Sequence, residues 1–179
     1  MAVRQLPHPS FFMKRLLFLL CLAQPLCAVD QPDLAGGKFG KVISEKALVK
    51  VSSTCQYDAP ETHLNLVRGP KVPCAFHTNK EKNPHVLLKL PAVAEVKGLE
   101  ILNRGDGSGF REATLAVSVS EDGKTWKQIW SAEGKAEDRW AITCVDAKGQ
   151  GHKATWIKLE TKPEKADFFH LSRVTIYGN

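Results

Sequence analysis

One imidazole and two guanidinium groups stand within a single stretch of this chain. His77 is followed by Arg104 after 27 positions and by Arg111 after seven more, with Asp106 between the two arginines. Each type suits the same task. An arginine offers a planar fork of donors that can bond two adjacent hydroxyls at once. A histidine can bond a third hydroxyl and fix its orientation. A carboxylate two residues from Arg104 can pair with one guanidinium and hold it in place. Phe76 and Phe110 flank the histidine and the second arginine and could lay an apolar ring face against a methyl group or the C–H face of a sugar. None of these groups is arranged to make or break a bond, so the expected chemistry is recognition of a hydroxyl-rich ligand. In the plain structural alternative, Asn103-Arg104-Gly105-Asp106 is only a turn in which Asp106 accepts from backbone amides.

The elements needed to position these residues read as an all-β domain. Strands are expected at Ala47–Val51, His85–Leu90, Val96–Leu102, Thr114–Ser120, Trp126–Trp130, Arg139–Thr143, Thr155–Leu159 and Val174–Tyr177. Leu115, Val117 and Val119 alternate onto one face. Gly, Asp and Pro punctuate these segments, and no apolar stripe of helical length is present. The pattern predicts a jelly-roll β-sandwich of about eight antiparallel strands. Ser120-Glu121-Asp122-Gly123-Lys124-Thr125-Trp126 reads as a hairpin turn that returns Trp126 to the core. The long segment from Ser52 to Phe76 is poor in strand signals, and loops of that length are usually functional or pinned.

Residues 1–28 read as a secretory signal peptide: Arg4, Lys14 and Arg15 form a basic leader, Leu16–Ala23 an apolar run, and Ala28 a small residue at the expected cut. Residues 29–46 are expected as an extended lead-in and 47–179 as the folded domain. The expected location is secreted, periplasmic or otherwise extracytoplasmic. The formal charge of the full chain is +6, but the leader holds three of the 25 basic residues and none of the 19 acidic ones. Lys and Glu are interspersed in the remainder, so no basic stripe suits a phosphate backbone, and nucleic acid is not an expected partner. Nothing is long and apolar enough for a membrane span.

Three cysteines follow the leader, Cys55, Cys74 and Cys144, which allow one bridge with one thiol left over. Cys55–Cys74 is favoured, because it would tie down the loop ahead of His77. No Cys-x-x-Cys and no His-x-His or His-x-x-x-His pair supports a metal site, and no paired carboxylate or nucleophile motif supports an enzyme.

The spacing His77-x26-Arg104-x-Asp106-x4-Arg111 resembles the fucose-binding signature of F-type lectins (fucolectins). His77-Thr78, Asn83-Pro84 and the Asn103–Asp106 turn agree with it. From about Ala47 to Gly178 the chain resembles the broader discoidin or galactose-binding-like superfamily, through Ser118–Trp126 and the closing Val174–Gly178. The resemblance implies a non-catalytic carbohydrate-binding module whose partner is a glycan or glycoconjugate, possessing a His77, Arg104 and Arg111 grip oriented by Asp106. The alternative it implies is a discoidin-like domain that binds a protein or matrix partner, or acts as a scaffold, with a degenerate sugar site. Some family features differ. Gly107-Ser108 stand where the lectins carry adjacent cysteines, and His85 follows Asn83-Pro84 where an aromatic is common. The family's acidic calcium positions fall at Arg68 and Arg173, which argues against calcium bound in that manner, so no cofactor is expected.

Overall fold

In the computed structural model, Leu34 and residues 37–179 are described, all within one compact unit that spans Gln31–Asn179. The expected signal peptide lies outside the described residues. Among the described residues eight strands form: β1 Lys41–Val42, β2 Leu48–Val51, β3 His85–Leu102, β4 Ala116–Ser120, β5 Lys127–Ser131, β6 Arg139–Thr143, β7 His152–Glu160 and β8 Arg173–Gly178. Every pairing is antiparallel.

β3 organises the jelly-roll sandwich. Its first half, from His85 to Lys89, lies between β2 and β7, whereas Gly98–Leu102 lies between β6 and β8. The register shifts between Lys89 and Ala94, around Pro91, so the strand bends and passes from one layer to the other. One layer is β2-β3-β7-β4-β5, and the other is β1-β8-β3-β6. The two strands expected on either side of Pro91 are thus halves of one 18-residue strand. A proline is tolerated there because a bulge needs no ladder hydrogen bond from it.

Alternation fills the space between the layers. Val86, Leu88 and Leu90 from β3 meet Ile157 and Leu159 from β7 and Val117 and Val119 from β4, and Leu99, Ile101, Val174 and Ile176 close the opposite side. All of β4 is buried, including Ser118 and Ser120. Trp126 differs from its expected place. It is partly exposed beneath the Lys158 ammonium, which lies 5.2 Å from its ring, while Trp140 packs in the core against Trp130. The turn before Trp126 is structural: Asp122 Oδ1 accepts from the amides of Lys124 and Thr125 and from the Ser120 hydroxyl.

The stretch expected as a lead-in contributes β1 to the sheet edge beside β8, and Leu34 and Phe39 are buried against Tyr177. The Ser52–Phe76 segment is pinned. A 3-10 helix, Pro60–Leu66, sits in its middle, with Leu66 buried and the Thr62 hydroxyl donating to the carbonyls of Ala59 and Ala75. The expected Cys55–Cys74 bridge does not form, and all three described cysteines are free thiols. Each sulfur is engaged elsewhere: Cys74 Sγ donates to the Phe76 carbonyl at 3.0 Å, and Cys55 Sγ lies 3.3 Å from His77 Nδ1. Burial pushes the Cys74 thiol up to about 11.

Candidate functional site

The site is assembled at the sheet end where β3 stops. Leu102 is flanked by Arg139 of β6 and Arg173 of β8, and the chain then turns outward at Asn103. Asn103 is buried and fixes the turn. Its side chain donates to the carbonyls of Gly109 and Glu137, and its oxygen accepts from the Arg104 amide. Gly109 must lack a side chain, because a Cβ there would lie 2.8 Å from Asn103 Nδ2. Gly107 sits at φ +84°, a conformation that glycine adopts freely.

Within that turn Arg104 and Asp106 form a two-pronged pair, Nε with Oδ1 at 2.6 Å and Nη2 with Oδ2. The guanidinium hydrogen bond draws the Asp106 carboxyl down to about 2. Asp106 Oδ1 also accepts from the Ser108 amide at 3.3 Å, so the turn role and the arginine-holding role coincide in one carboxylate.

His77 arrives from the other side. The Ala75 and Thr78 amides donate to the carbonyls of Leu171 and Phe169, and this short ladder sets His77 beside His170, with ring centroids 5.2 Å apart. Asp58, whose side chain is 1% exposed, accepts from the His77 amide at 2.7 Å and faces His63 Nε2 at 2.7 Å. His77 Nδ1 lies 3.0 Å from the Thr78 carbonyl, which requires a proton on that nitrogen. The neutral ring then keeps Nε2 as an acceptor. Burial lowers the His77 pKa below its ordinary value, and His170, Arg104 and Arg111 act in the same direction, against the Thr78 carbonyl.

His77 and Arg104 open onto one pocket of about 410 Å³, also lined by Tyr57, Asp58, Thr62 and Cys74. A second depression, of about 420 Å³, lies on the far side of Arg104 and is lined by Gly107, Phe110, Glu137 and Asp138. Arg104 is the wall they share. Tyr57 is 77% exposed and Phe110 is 65% exposed, and they are the only two highly exposed aromatic residues among the described residues. Each borders one of the two hollows. Phe76 is different. It is 1% exposed and packs edge-on against Phe169 at 5.2 Å, so it is a core residue forming the pocket floor, and the open ring face is that of Tyr57.

Arg111 is adjacent to the pocket but not among its lining residues. It lies in the 3-10 helix Gly109–Thr114, where Nε faces Asp167 at 3.3 Å and Nη1 faces His170 Nε2 at 3.4 Å. Its guanidinium is 5.1 Å from the Phe110 ring and 5.7 Å from the Phe168 ring. Phe168 in turn meets the His77 ring edge-on at 4.8 Å. Behind Arg111 lies a fully buried pair, His170 Nδ1 and Glu112 Oε1, 2.9 Å apart. Burial raises the Glu112 pKa, opposed by His170. Sequence reasoning missed Tyr57, Asp58, Glu112, Phe168 and His170. Their proximity to His77 and the arginines comes from segments that meet only in the folded chain, although Glu112 beside Arg111 was a visible signal.

Arg68 and Arg173 also come together. Arg173 Nη2 donates to the Gly69 carbonyl at 2.6 Å, and Arg68 Nη1 to the Glu45 carbonyl at 3.5 Å. Among the described residues no group of three or more His, Cys, Asp or Glu side chains is placed to hold a metal ion. No described helix is long and apolar enough to cross a membrane.

No family model matches this sequence, and no curated protein matches it. Solved structures do. The lectin domain of lectinolysin complexed with Lewis B antigen is 24% identical, at a TM-score of 0.59 over 78% of this chain and 97% of that one. A Streptococcus pneumoniae fucose binding module is 18% identical, with a TM-score of 0.62 over 78% and 98% of the two chains. A fucolectin from striped bass (Morone saxatilis) serum is 16% identical, with a TM-score of 0.63, and here the match covers 78% of this chain and 48% of that chain. The fold of this chain is that of these β-sandwich modules.

Proposed function

We propose that this chain is a non-catalytic, lectin-like carbohydrate-binding module that grips sugar hydroxyls through His77, Arg104 and Arg111. The observation that carries this reading is the shared pocket: an imidazole with a free acceptor nitrogen and a guanidinium braced by Asp106 face one opening. Hydroxyls are both donors and acceptors, so a neutral His77 and a charged Arg104 offer complementary partners to neighbouring oxygens. Asp106 orients Arg104, while Asp167 and His170 orient Arg111. Tyr57 and Phe110 supply ring faces for the C–H or methyl surface of a sugar on either side of Arg104, which suits a ligand longer than one ring. A module of the same fold that is described as fucose binding supports a fucose-like sugar as the first candidate.

The pocket holds one carboxylate, Asp58, and it is occupied by the His77 amide and His63. Glycoside hydrolysis calls for two carboxyl groups across the scissile bond, so recognition without turnover is the better reading. The same reading includes a signal peptide over residues 1–28, an extracytoplasmic location, and a binding domain over 47–179. A second reading, a discoidin-like domain that binds a protein or matrix partner, is favoured by one observation: Arg104 and Arg111 are both already paired with carboxylates.

A glycan array followed by calorimetry separates the two. The module reading expects a fucosylated or related glycan to bind, with at least about tenfold loss in both His77→Ala and Arg104→Ala. Array-wide silence, or binding unchanged in Arg111→Ala and Arg104→Ala, would sink the proposed site and favour the protein-binding reading.

A further inference from the structure

Five arginines are described, and three of them, Arg104, Arg111 and Arg139, face carboxylates. The other two do not, and both line the same pocket. Along β8, Val174 and Ile176 point into the core, so Arg173 and Thr175 stand on the outer face. The chain just past the first 3-10 helix, at Arg68 and Gly69, runs beside them. With Glu45 and Lys46 these residues line an opening of about 600 Å³. Three cations therefore share it with one carboxylate. No carboxylate lies within 4.0 Å of Arg68, Arg173 or Lys46 among the described residues.

The Gly69 carbonyl holds the Arg173 guanidinium without cancelling its charge, while Arg68 is exposed and reaches the Glu45 carbonyl only at 3.5 Å. A backbone carbonyl accepts one N–H and leaves the rest of the donor fork open. Two guanidinium forks without a carboxylate partner, set around one concavity, match the planar geometry of an oxoanion. The opening is also larger than a bare ion requires and lies in the range of small-molecule sites. The Thr175 hydroxyl adds a neutral partner at its wall.

We propose that this pocket is a second binding site, for an oxoanion carried on a sugar: the sulfate ester or carboxylate of an acidic glycan. It shares no lining residue with the His77–Arg104 pocket, so its oxoanion part stands independently of that site, and the choice of a sugar as carrier rests on the lectin-like reading.

The test is a titration of the whole protein with galactose 6-sulfate, galactose and inorganic sulfate, followed by calorimetry and by the arginine side-chain NMR signals. Galactose 6-sulfate should bind with a Kd of about 0.1–5 mM, as expected for a small ligand. It should move the Arg68 and Arg173 signals and weaken steeply with added salt. The double variant Arg68→Gln with Arg173→Gln should lose about tenfold or more, and His77→Ala should lose none of the sulfate-dependent part. If the double variant fails to fold, Arg68→Glu alone serves, because Arg68 is exposed and its one contact is long. Equal binding of galactose and galactose 6-sulfate overturns the proposal, as does full affinity in the variants. Inorganic sulfate binding as tightly as the sulfated sugar overturns its glycan part.

Discussion

His77 carries a prediction of its own. Burial and the neighbouring cations disfavour its imidazolium, while the Nδ1 contact with Thr78 leaves Nε2 as the acceptor. An unfolded histidine protonates near pH 6.5 and the folded one resists, so its contribution to stability is present above that pH and is lost as the pH falls. Sugar binding should follow the same sign. Protonation turns the acceptor into a donor and places a third positive charge beside Arg104 and Arg111. Calorimetry from pH 7.5 down to 4.5 should show affinity falling several-fold in the native protein, and a flat profile in His77→Gln points to this residue. The thiols offer a second check. With burial pushing Cys74 up to about 11 and Cys144 up to about 12, both should alkylate much more slowly in the folded protein than in urea at pH 8.

At the scale of elements, one brace supports the site and a second supports the sheet that carries it. The first joins the 3-10 helix Gly109–Thr114 to the segment ahead of β8 through the fully buried Glu112–His170 pair. Removing one member leaves the other buried without its partner, so Glu112→Ala should cost about 3 kcal/mol in urea unfolding. It should also weaken sugar binding, because His170 is one of the groups that hold Arg111. The second brace is the closing strand. A Cβ at Gly178 would lie 2.0 Å from the Glu95 carbonyl oxygen, a rigid backbone neighbour. Gly178→Ala should therefore destabilise by about 2–4 kcal/mol, lower the thermal midpoint, and shift β1, which pairs with Gly178. The elements themselves were largely legible, and β6 falls at the expected residues, because period-2 alternation survives wherever one face is buried. The single long β3 was not legible. Pro91 reads as a strand terminator in sequence, and only a bulge at a corner between two layers allows the strand to continue.

At the scale of the whole molecule, the proposed His77–Arg104 site is a single shallow hollow on one sandwich, and a site of that kind would bind a monosaccharide weakly. A Kd of about 10 µM to 1 mM is expected for a fucose-like sugar, because few atoms must offset the cost of association. Tetravalent display of the module, for instance on streptavidin, should raise apparent affinity for a multivalent glycan surface by about a hundredfold or more without any new contact. Surface plasmon resonance of monomer against tetramer measures it, and equal off-rates would count against multivalent use.

By itself the sequence determined the fold class, the strand text and the His77, Arg104 and Arg111 spacing, because alternation and turn chemistry are local properties of a chain. It also determined that Arg68 and Arg173 carry charge where acidic residues had been expected from the resemblance. Tertiary structure alone decided which of those residues meet. His77 faces a pocket with Arg104 because residues 75–78 ladder against residues 169–171, nearly a hundred positions away. Arg111 was turned toward Asp167 and His170, Phe76 went to the core while Tyr57 took the surface, and three cysteines stayed apart. Those outcomes depend on long-range packing, in which each side chain goes where burial and hydrogen bonding are jointly satisfied, and no spacing along the chain encodes that.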